Sequence, residues 1–197
     1  MLSYIIQWFI SIYHNIISYF HDIPKIKHIK KKTIVSITGN ISSGKSTILN
    51  LLKSFGFKIY EQNLTKEILD ELKVYYKVNG KNSFKIQKLF FEMYRDIWQQ
   101  IKEDKSEIVF VEDIIGTYYI FTKKLYDEKL LTKDEFDELS SLYEKYKLPS
   151  VKDFDYIIYL ETDNENINLK RIKDRNRDCN ENEITYNLYS HYQSLNI

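Results

Sequence analysis

A nine-residue stretch, GNISSGKST, carries the strongest chemical pattern in the chain. Its spacing, Gly39-x-x-x-x-Gly44-Lys45-Ser46, is typical of a phosphate-binding loop. Glycines let backbone N–H groups turn inward around phosphate oxygens, and a following helix directs its positive end at them. Lys45 would reach the β- and γ-phosphates, and the Ser46 hydroxyl would ligate Mg²⁺. The predicted nucleotide-binding residues are Gly39, Asn40, Ile41, Ser42, Ser43, Gly44, Lys45, Ser46 and Thr47.

This loop predicts ATP or another nucleoside triphosphate as cofactor, with Mg²⁺, but leaves the reaction open. The alternative is a glycine-containing turn that binds no ligand. Its context argues against that alternative, because the β-branched run TIVSIT precedes the loop and a helical pattern follows it. The Asn-Lys-x-Asp pattern with which GTPases read their base is absent from the sequence. Kinases, ATPases and other transferases remain as classes of protein that fit the loop.

The elements that must position this loop alternate between strands and helices. Strands are predicted at 33–38, 57–60, 107–111 and 155–160. Helices are predicted at 46–55, 64–77, 84–102, 116–130, 132–147, 164–175 and 182–193. Gly56 is a helix stop, Asn79-Gly80 is a turn, and Thr132 with Glu135 has the spacing of a capping box. The alternation predicts an α/β domain around a buried parallel sheet.

Composition excludes few classes of protein. The 197 residues suffice for one well-buried domain, or for one domain plus an appendage. The net charge of +1 gives no overall field that would favour nucleic acid, so no nucleic-acid partner is expected. The single cysteine, Cys179, excludes an intramolecular disulfide framework and fits a reducing, cytoplasmic compartment.

Residues 2–20 form a separate, strongly apolar segment with a narrow polar stripe at helical spacing. Pro24 and the basic run 25–32 follow it. A helix packed on the domain, a helix lying on a membrane surface and a membrane span all stay open. The sequence thus divides into an apolar amphipathic helix with a basic linker at 1–32 and a main domain at 33–197. Membrane association through residues 2–20 is an open expectation.

The segment ITGNISSGKSTIL resembles the P-loop of the deoxyribonucleoside kinases, the group of deoxycytidine, deoxyguanosine and mitochondrial thymidine kinases. The resemblance runs from Thr33 to the C-terminus. It implies a P-loop NTPase fold, with three α/β/α layers and a parallel sheet of about four strands. It also implies ATP-dependent phosphorylation of the 5′-hydroxyl of a deoxyribonucleoside. Members of the family are usually dimers, and a homodimer is compatible with this sequence.

Three residues match the positions with which the family binds its nucleoside. Glu61 matches the glutamate of a Glu-Pro pair, although Gln62 replaces the proline. Tyr76 matches a tyrosine that bonds the sugar hydroxyl, and Gln87 matches the amide that pairs with the base edge. A carboxamide carries both a donor and an acceptor, which suits bidentate recognition of a base. The alternative for Gln87 is a solvated position on a helix.

The resemblance also implies the groups that carry out the transfer. Glu112 matches the general base for the 5′-hydroxyl and lies where it would approach Mg²⁺. Arg171, Arg175 and Arg177 match the arginines of the lid, and planar, permanently charged guanidinium groups suit a transferring phosphoryl group. The alternative is a solvated basic helix end balanced by acidic neighbours. Either Asn180 or Glu181 stands near the position of a lid glutamate that touches the sugar.

The sequence departs from the family at several positions. Asp113 stands where the family has an arginine that contacts phosphates, so repulsion against a triphosphate is expected. The sequence as given stops at Ile197, before the family's fifth strand, and residues 1–30 are a candidate for covering that region. Tyr94 and Thr117 stand roughly where other members carry base-selecting residues, which favours thymidine-like acceptors.

Two further functions stay open. The first is a degenerate kinase-fold protein that binds nucleotide, or only a partner, with little turnover. The second is a P-loop kinase for another small molecule, because the opening also resembles that of dephospho-coenzyme A kinases.

Overall fold

The structure, a computed structural model, describes residues 32–77, 80–113, 117–162 and 164–175. Within these ranges, no helix is both long and apolar enough to cross a membrane. Several predictions lie outside the described residues: the N-terminal helix and its boundary, Asn79 of the turn, the helix at 182–193, and the positions of Arg177, Cys179, Asn180 and Glu181.

Four strands and six helices make up the described elements. The strands are β1 (Thr33–Gly39), β2 (Lys58–Tyr60), β3 (Ile108–Glu112) and β4 (Tyr156–Leu160). The helices are α1 (Lys45–Ser54), α2 (Lys66–Lys77), α3 (Ser83–Glu103), α4 (Thr117–Asp127), α5 (Lys133–Tyr146) and α6 (Glu165–Arg175). A short 3₁₀ turn at Val151–Asp153 precedes β4.

The strands pair in the order β2-β3-β1-β4, and every pairing is parallel. Ile37 of β1 lies opposite Glu112 of β3, and Gly39 lies opposite Leu160 of β4. The carboxyl ends of these strands therefore meet at one edge of the sheet, which is where ligands bind in open α/β sheets. The predicted parallel α/β sheet is confirmed.

Helices cover both faces of the sheet, because both faces of its central strands are apolar. On one face, Val35, Ile37 and Phe110 pack with Leu49 of α1. On the other face, Val109 and Val111 pack with the long helix α3, through Tyr94, Ile97, Trp98 and Ile101. This arrangement is the predicted three-layer α/β/α architecture.

Helix ends follow local signals where the sequence carries them. Gly56 stops α1 with φ of 88°, and the Phe57 amide closes back onto Leu52 O at 3.2 Å. The predicted capping box is present, since Thr132 Oγ1 accepts from the Glu135 amide at 3.3 Å and Glu135 Oε2 accepts from the Thr132 amide at 2.8 Å. Helix α4 ends at Asp127 rather than at residue 130, because Lys129 adopts φ of 60°.

A buried phenol ties the end of β2 to the end of α3. Tyr60 Oη donates to Asp104 Oδ2 at 2.7 Å. Hydrogen bonds from the Ser106 hydroxyl and amide, and then from Tyr60, lower the pKa of the Asp104 carboxyl to about 2. Burial, with the carboxylate as a second cause, raises the pKa of the Tyr60 phenol. The contact therefore favours a neutral phenol and an ionised carboxylate.

This contact predicts a pH-dependent loss of stability in Tyr60→Phe. At pH 7 the variant should lose about 1.5–3 kcal/mol of unfolding free energy, because one hydrogen bond to a charged acceptor disappears. The depressed pKa of Asp104 contributes stability above the unfolded-state value of 3.8, and that stability is lost as the pH falls from 3.8 through about 2. The difference between variant and parent should therefore shrink over that window.

Urea unfolding at a series of pH values measures this difference. Tyr119→Phe is the matched control, since Tyr119 is 39% exposed on α4. A Tyr60→Phe penalty that stays constant down to the lowest pH would contradict the assigned contact.

Candidate active site

The phosphate-binding loop leaves β1 through a glycine that no other residue could replace without displacement. Gly39 has φ of 143°, and a Cβ atom there would lie 2.4 Å from the Leu160 carbonyl oxygen and 2.9 Å from Ser43 Oγ. Gly44 has φ of 105° and is the N-cap of α1, with open space where its side chain would be. The two glycines thus let the loop turn beside β4 and leave the start of the helix uncovered.

The polar groups of the loop suit a phosphate ligand. Lys45 Nζ donates to Gly39 O at 2.7 Å and to Asn40 O at 3.0 Å, so its ammonium group lies across the loop. Ser43 Oγ is buried and has no hydrogen-bond partner among the described residues. Ser46, at the first turn of α1, is exposed. A lysine held over the loop, an unused hydroxyl and an uncovered helix N-terminus are groups that fit a nucleotide phosphate.

Glu112 ends β3 at the same edge of the sheet. Its Oε2 accepts from the Gln62 amide at 3.3 Å, which places the segment after β2 beside it. Burial raises the pKa of the Glu112 carboxyl, and the neighbouring carboxylates of Asp113 and Glu61 raise it further. The Gln62 amide and the Lys45 ammonium act in the opposite direction. The structure therefore brings together Glu61, Glu112 and Lys45, three residues that the sequence placed in the site.

Asp113, which stands in place of the expected arginine, turns toward β1. Thr38 Oγ1 donates to Asp113 Oδ1 at 2.7 Å, and the Asp113 amide donates to Ile37 O at 3.2 Å. Asp113 has φ of 37°, a conformation that aspartate tolerates better than most residues. Its carboxylate is thus held at the root of the phosphate-binding loop.

Helix α6, which carries the predicted lid arginines Arg171 and Arg175, contacts the phosphate-binding loop directly. Arg171 Nη1 donates to Ser42 O at 3.1 Å. Ile172 is 2% exposed and packs against Ile41 of the loop and against Tyr76 of α2. Arg175 lies one turn further along α6 and is exposed. The predicted lid arginine Arg171 therefore contacts the loop directly, and the predicted sugar-binding residue Tyr76 is connected to it through Ile172.

Gln87 is not a solvated helix residue. It is 7% exposed on α3, and its Oε1 accepts from the buried Thr122 hydroxyl of α4 at 3.4 Å. A buried carboxamide held by a neighbouring helix has a restricted orientation, as base recognition requires. Tyr94 is 1% exposed within the core beside Tyr60 and Trp98.

Sequence reasoning missed two contacts in the site. Thr122 holds Gln87, but a lone threonine on a helix carries no signal in one sequence. Thr38 holds Asp113, and here a signal did exist. Both residues directly follow the paired positions Ile37 and Glu112, so parallel pairing of the two strands would have brought them together.

Comparisons with known proteins agree with this arrangement. The model of the family described as "Deoxynucleoside kinase" matches residues 35–193. The chain is 32% identical over 162 residues to the deoxyadenosine/deoxycytidine kinase of Bacillus subtilis (strain 168), a match that covers 78% of this chain and 70% of that protein.

Solved structures give the same fold. The deoxyadenosine kinase from M. mycoides with bound dATP has a TM-score of 0.65 at 22% identity, covering 82% of this chain and 80% of that one. Its complex with dCTP has a TM-score of 0.61 at 24% identity, covering 83% and 79%. The structural likeness establishes the fold, and the extent of the sequence match establishes the family: the chain belongs to the deoxynucleoside kinases.

Proposed function

We propose that this protein transfers the γ-phosphoryl group of ATP to the 5′-hydroxyl of a deoxyribonucleoside, giving a deoxynucleoside monophosphate. The observation that carries the proposal is the position of Glu112 at the end of β3, paired with Ile37 of the strand that leads into the phosphate-binding loop. A carboxylate at the sheet edge that carries this loop is what a base for an attacking hydroxyl requires.

The donor half of the site is the phosphate-binding loop with the lid helix. Residues 39–47 would hold the triphosphate through backbone amides, and Lys45 would contact the β- and γ-phosphates. Arg171 contacts the loop at Ser42 O, and Arg175 follows on the same helix. Both would neutralise charge on the transferring group, together with Arg177.

Mg²⁺ would be held by the Ser46 hydroxyl and the Glu112 carboxylate, with phosphate oxygens and water completing the coordination. When bound, the ion neutralises charge between the phosphates. Ser46 is exposed and Glu112 is partly buried at the same sheet edge, so one hydroxyl and one carboxylate are available there. Oxygen ligands of this kind are those that Mg²⁺ prefers.

The acceptor half is formed by Glu61, Tyr76 and Gln87. Glu61 lies close enough to Glu112 to raise its pKa, and Tyr76 packs against Ile172, which also contacts Ile41 of the loop. Gln87 would pair with the base through its amide. Relatives named as deoxyadenosine and deoxycytidine kinases support a deoxynucleoside as the acceptor.

A second function is favoured by one specific observation. Asp113 stands where the family resemblance implies a phosphate-binding arginine, so the site carries a negative charge where a positive one is expected. A protein that binds nucleotide with little turnover would follow if this change removes too much charge stabilisation from the transition state.

A direct assay separates the two functions. The purified chain is incubated with ATP, Mg²⁺ and each of the four deoxynucleosides in turn, and monophosphate and ADP are quantified. The kinase function predicts equal amounts of both products with at least one deoxynucleoside. ATP binding without product from any of them would reject it in favour of the binding protein.

The assigned base gives a first prediction. Glu112→Gln should lower kcat by about 10²- to 10⁴-fold, the usual contribution of a positioned base, with a much smaller effect on ATP affinity. Steady-state kinetics and a binding titration with ATP measure the two effects. Glu144→Gln, on the exposed part of α5, is the matched control and should retain the parent's kcat. Full activity in Glu112→Gln would remove the carboxylate from the mechanism.

The base-reading amide gives a second prediction. Gln87→Leu keeps the volume of the side chain but leaves the base edge without its partner, so kcat/KM for the nucleoside should fall about 10- to 100-fold. The KM for ATP should change little. Gln99→Leu, an exposed position on the same helix, should behave like the parent. An equal loss in both variants would show that the effect is one of helix stability.

A further inference from the structure

The bridge between Thr38 and Asp113 joins the two strands that carry the donor and transfer groups. Thr38 is the residue before Gly39, and Asp113 is the residue after Glu112. The side-chain hydrogen bond between them is 2.7 Å long, and the backbone bond from the Asp113 amide to Ile37 O adds a second link. The strands are thus held together one step beyond their last paired residues.

The backbone conformation of Asp113 indicates that this turn is specific. A φ of 37° is unfavourable for most residues, and it lies at the residue directly after the last residue of β3, Glu112. The two hydrogen bonds compensate for this conformation and hold the carboxylate against the root of the loop.

Breaking the bridge would affect both halves of the site. Gly39 has little freedom on its other side, because the Leu160 carbonyl closes against it. On the β3 side, Glu112 is the neighbour of Asp113 and is otherwise linked to the Gln62 amide by a longer bond of 3.3 Å. The bridge therefore adds to the five paired positions of β1 and β3 that place the loop relative to Glu112.

We propose that Thr38 and Asp113 are positioning residues that hold the phosphate-binding loop in register with Glu112. The inference rests on the proposed function for its effect on catalysis, but its effect on nucleotide binding does not require turnover. Asp113 then acts through its hydrogen bond to Thr38, and not through a contact with the nucleotide. The position at which the family resemblance implies a phosphate-binding arginine then serves to order the loop.

The test compares variants that break the bridge with variants that keep it. Thr38→Val removes the donor at equal volume, and Asp113→Gly removes the acceptor while tolerating the positive φ. Each should weaken ATP binding about 10-fold, and the double variant should be no weaker than either single one, because both remove the same bond. Thr38→Ser and Asp113→Asn keep a donor and an acceptor, so both should retain the parent's ATP affinity or bind more tightly.

ATP affinity is measured by calorimetric titration, with the thermal midpoint recorded for every variant. Additive losses, or ATP affinity unchanged in Thr38→Val, would overturn the proposal. Tighter ATP binding in both Asp113→Gly and Asp113→Asn would also overturn the proposal, since Asp113 would then affect ATP only through its negative charge. A fall in affinity that tracks a fall in thermal midpoint across all four single variants would indicate a merely structural role.

Turnover adds a readout that separates this inference from the proposed function. If the parent phosphorylates a deoxynucleoside, Thr38→Val and Asp113→Gly should lower kcat about 10-fold beyond their effect on ATP binding, because Glu112 shifts against the loop. If the parent binds ATP but gives no product, the proposed function fails. The positioning role of Thr38 and Asp113 is then still tested by whether the two single variants and the double variant lose the same amount of ATP affinity. A parent that binds no ATP rejects both.

Discussion

The parallel pairing of β1 with β3 and β4 is the constraint on which the site depends. Pairing in this register places Gly39, Glu112 and Leu160 at one edge of the sheet, although they lie far apart in the sequence. Helices on both faces bury the apolar sides of the strands and so fix the register, because a shift of one residue would turn the apolar side chains to the wrong face. The positions of the site residues at this edge of the sheet therefore depend on the packing of the core.

The close approach of β4 to the start of the loop also explains why position 39 is a glycine. The Leu160 carbonyl leaves no room for a side chain at Gly39, and β4 is held there by its pairing with β1. On the other side of the loop, Ile41 packs with Ile172 of the lid helix. The loop is thus bounded by a strand on one side and by a helix on the other. Such support preorganises backbone amides for a ligand.

Much of this fold could be predicted from local patterns. The β-branched runs, Gly56 and the Thr132–Glu135 pair each determine their element through interactions within a few residues, and the structure contains them all. The end of α4 at Asp127, shortly before the positive φ of Lys129, carried no such signal, because a lysine rarely adopts a positive φ. The burial of Gln87 and the contact of Arg171 with Ser42 depend on how distant helices pack, which one sequence does not encode locally.

Charge balance at the sheet edge bears on the donor that the site would accept. The carboxylates of Glu61, Glu112 and Asp113 lie close enough to interact, and Lys45 is the cation nearest to them on the loop. Asp113 stands where the family resemblance implies an arginine, and a change from arginine to aspartate lowers the local charge by two units, a large effect on a polyanion where water is partly excluded. On the proposed function, a divalent cation held by Ser46 and Glu112 would offset much of that repulsion. On the proposed function, the nucleotide suited to this edge is therefore the Mg²⁺ complex of ATP and not the free triphosphate.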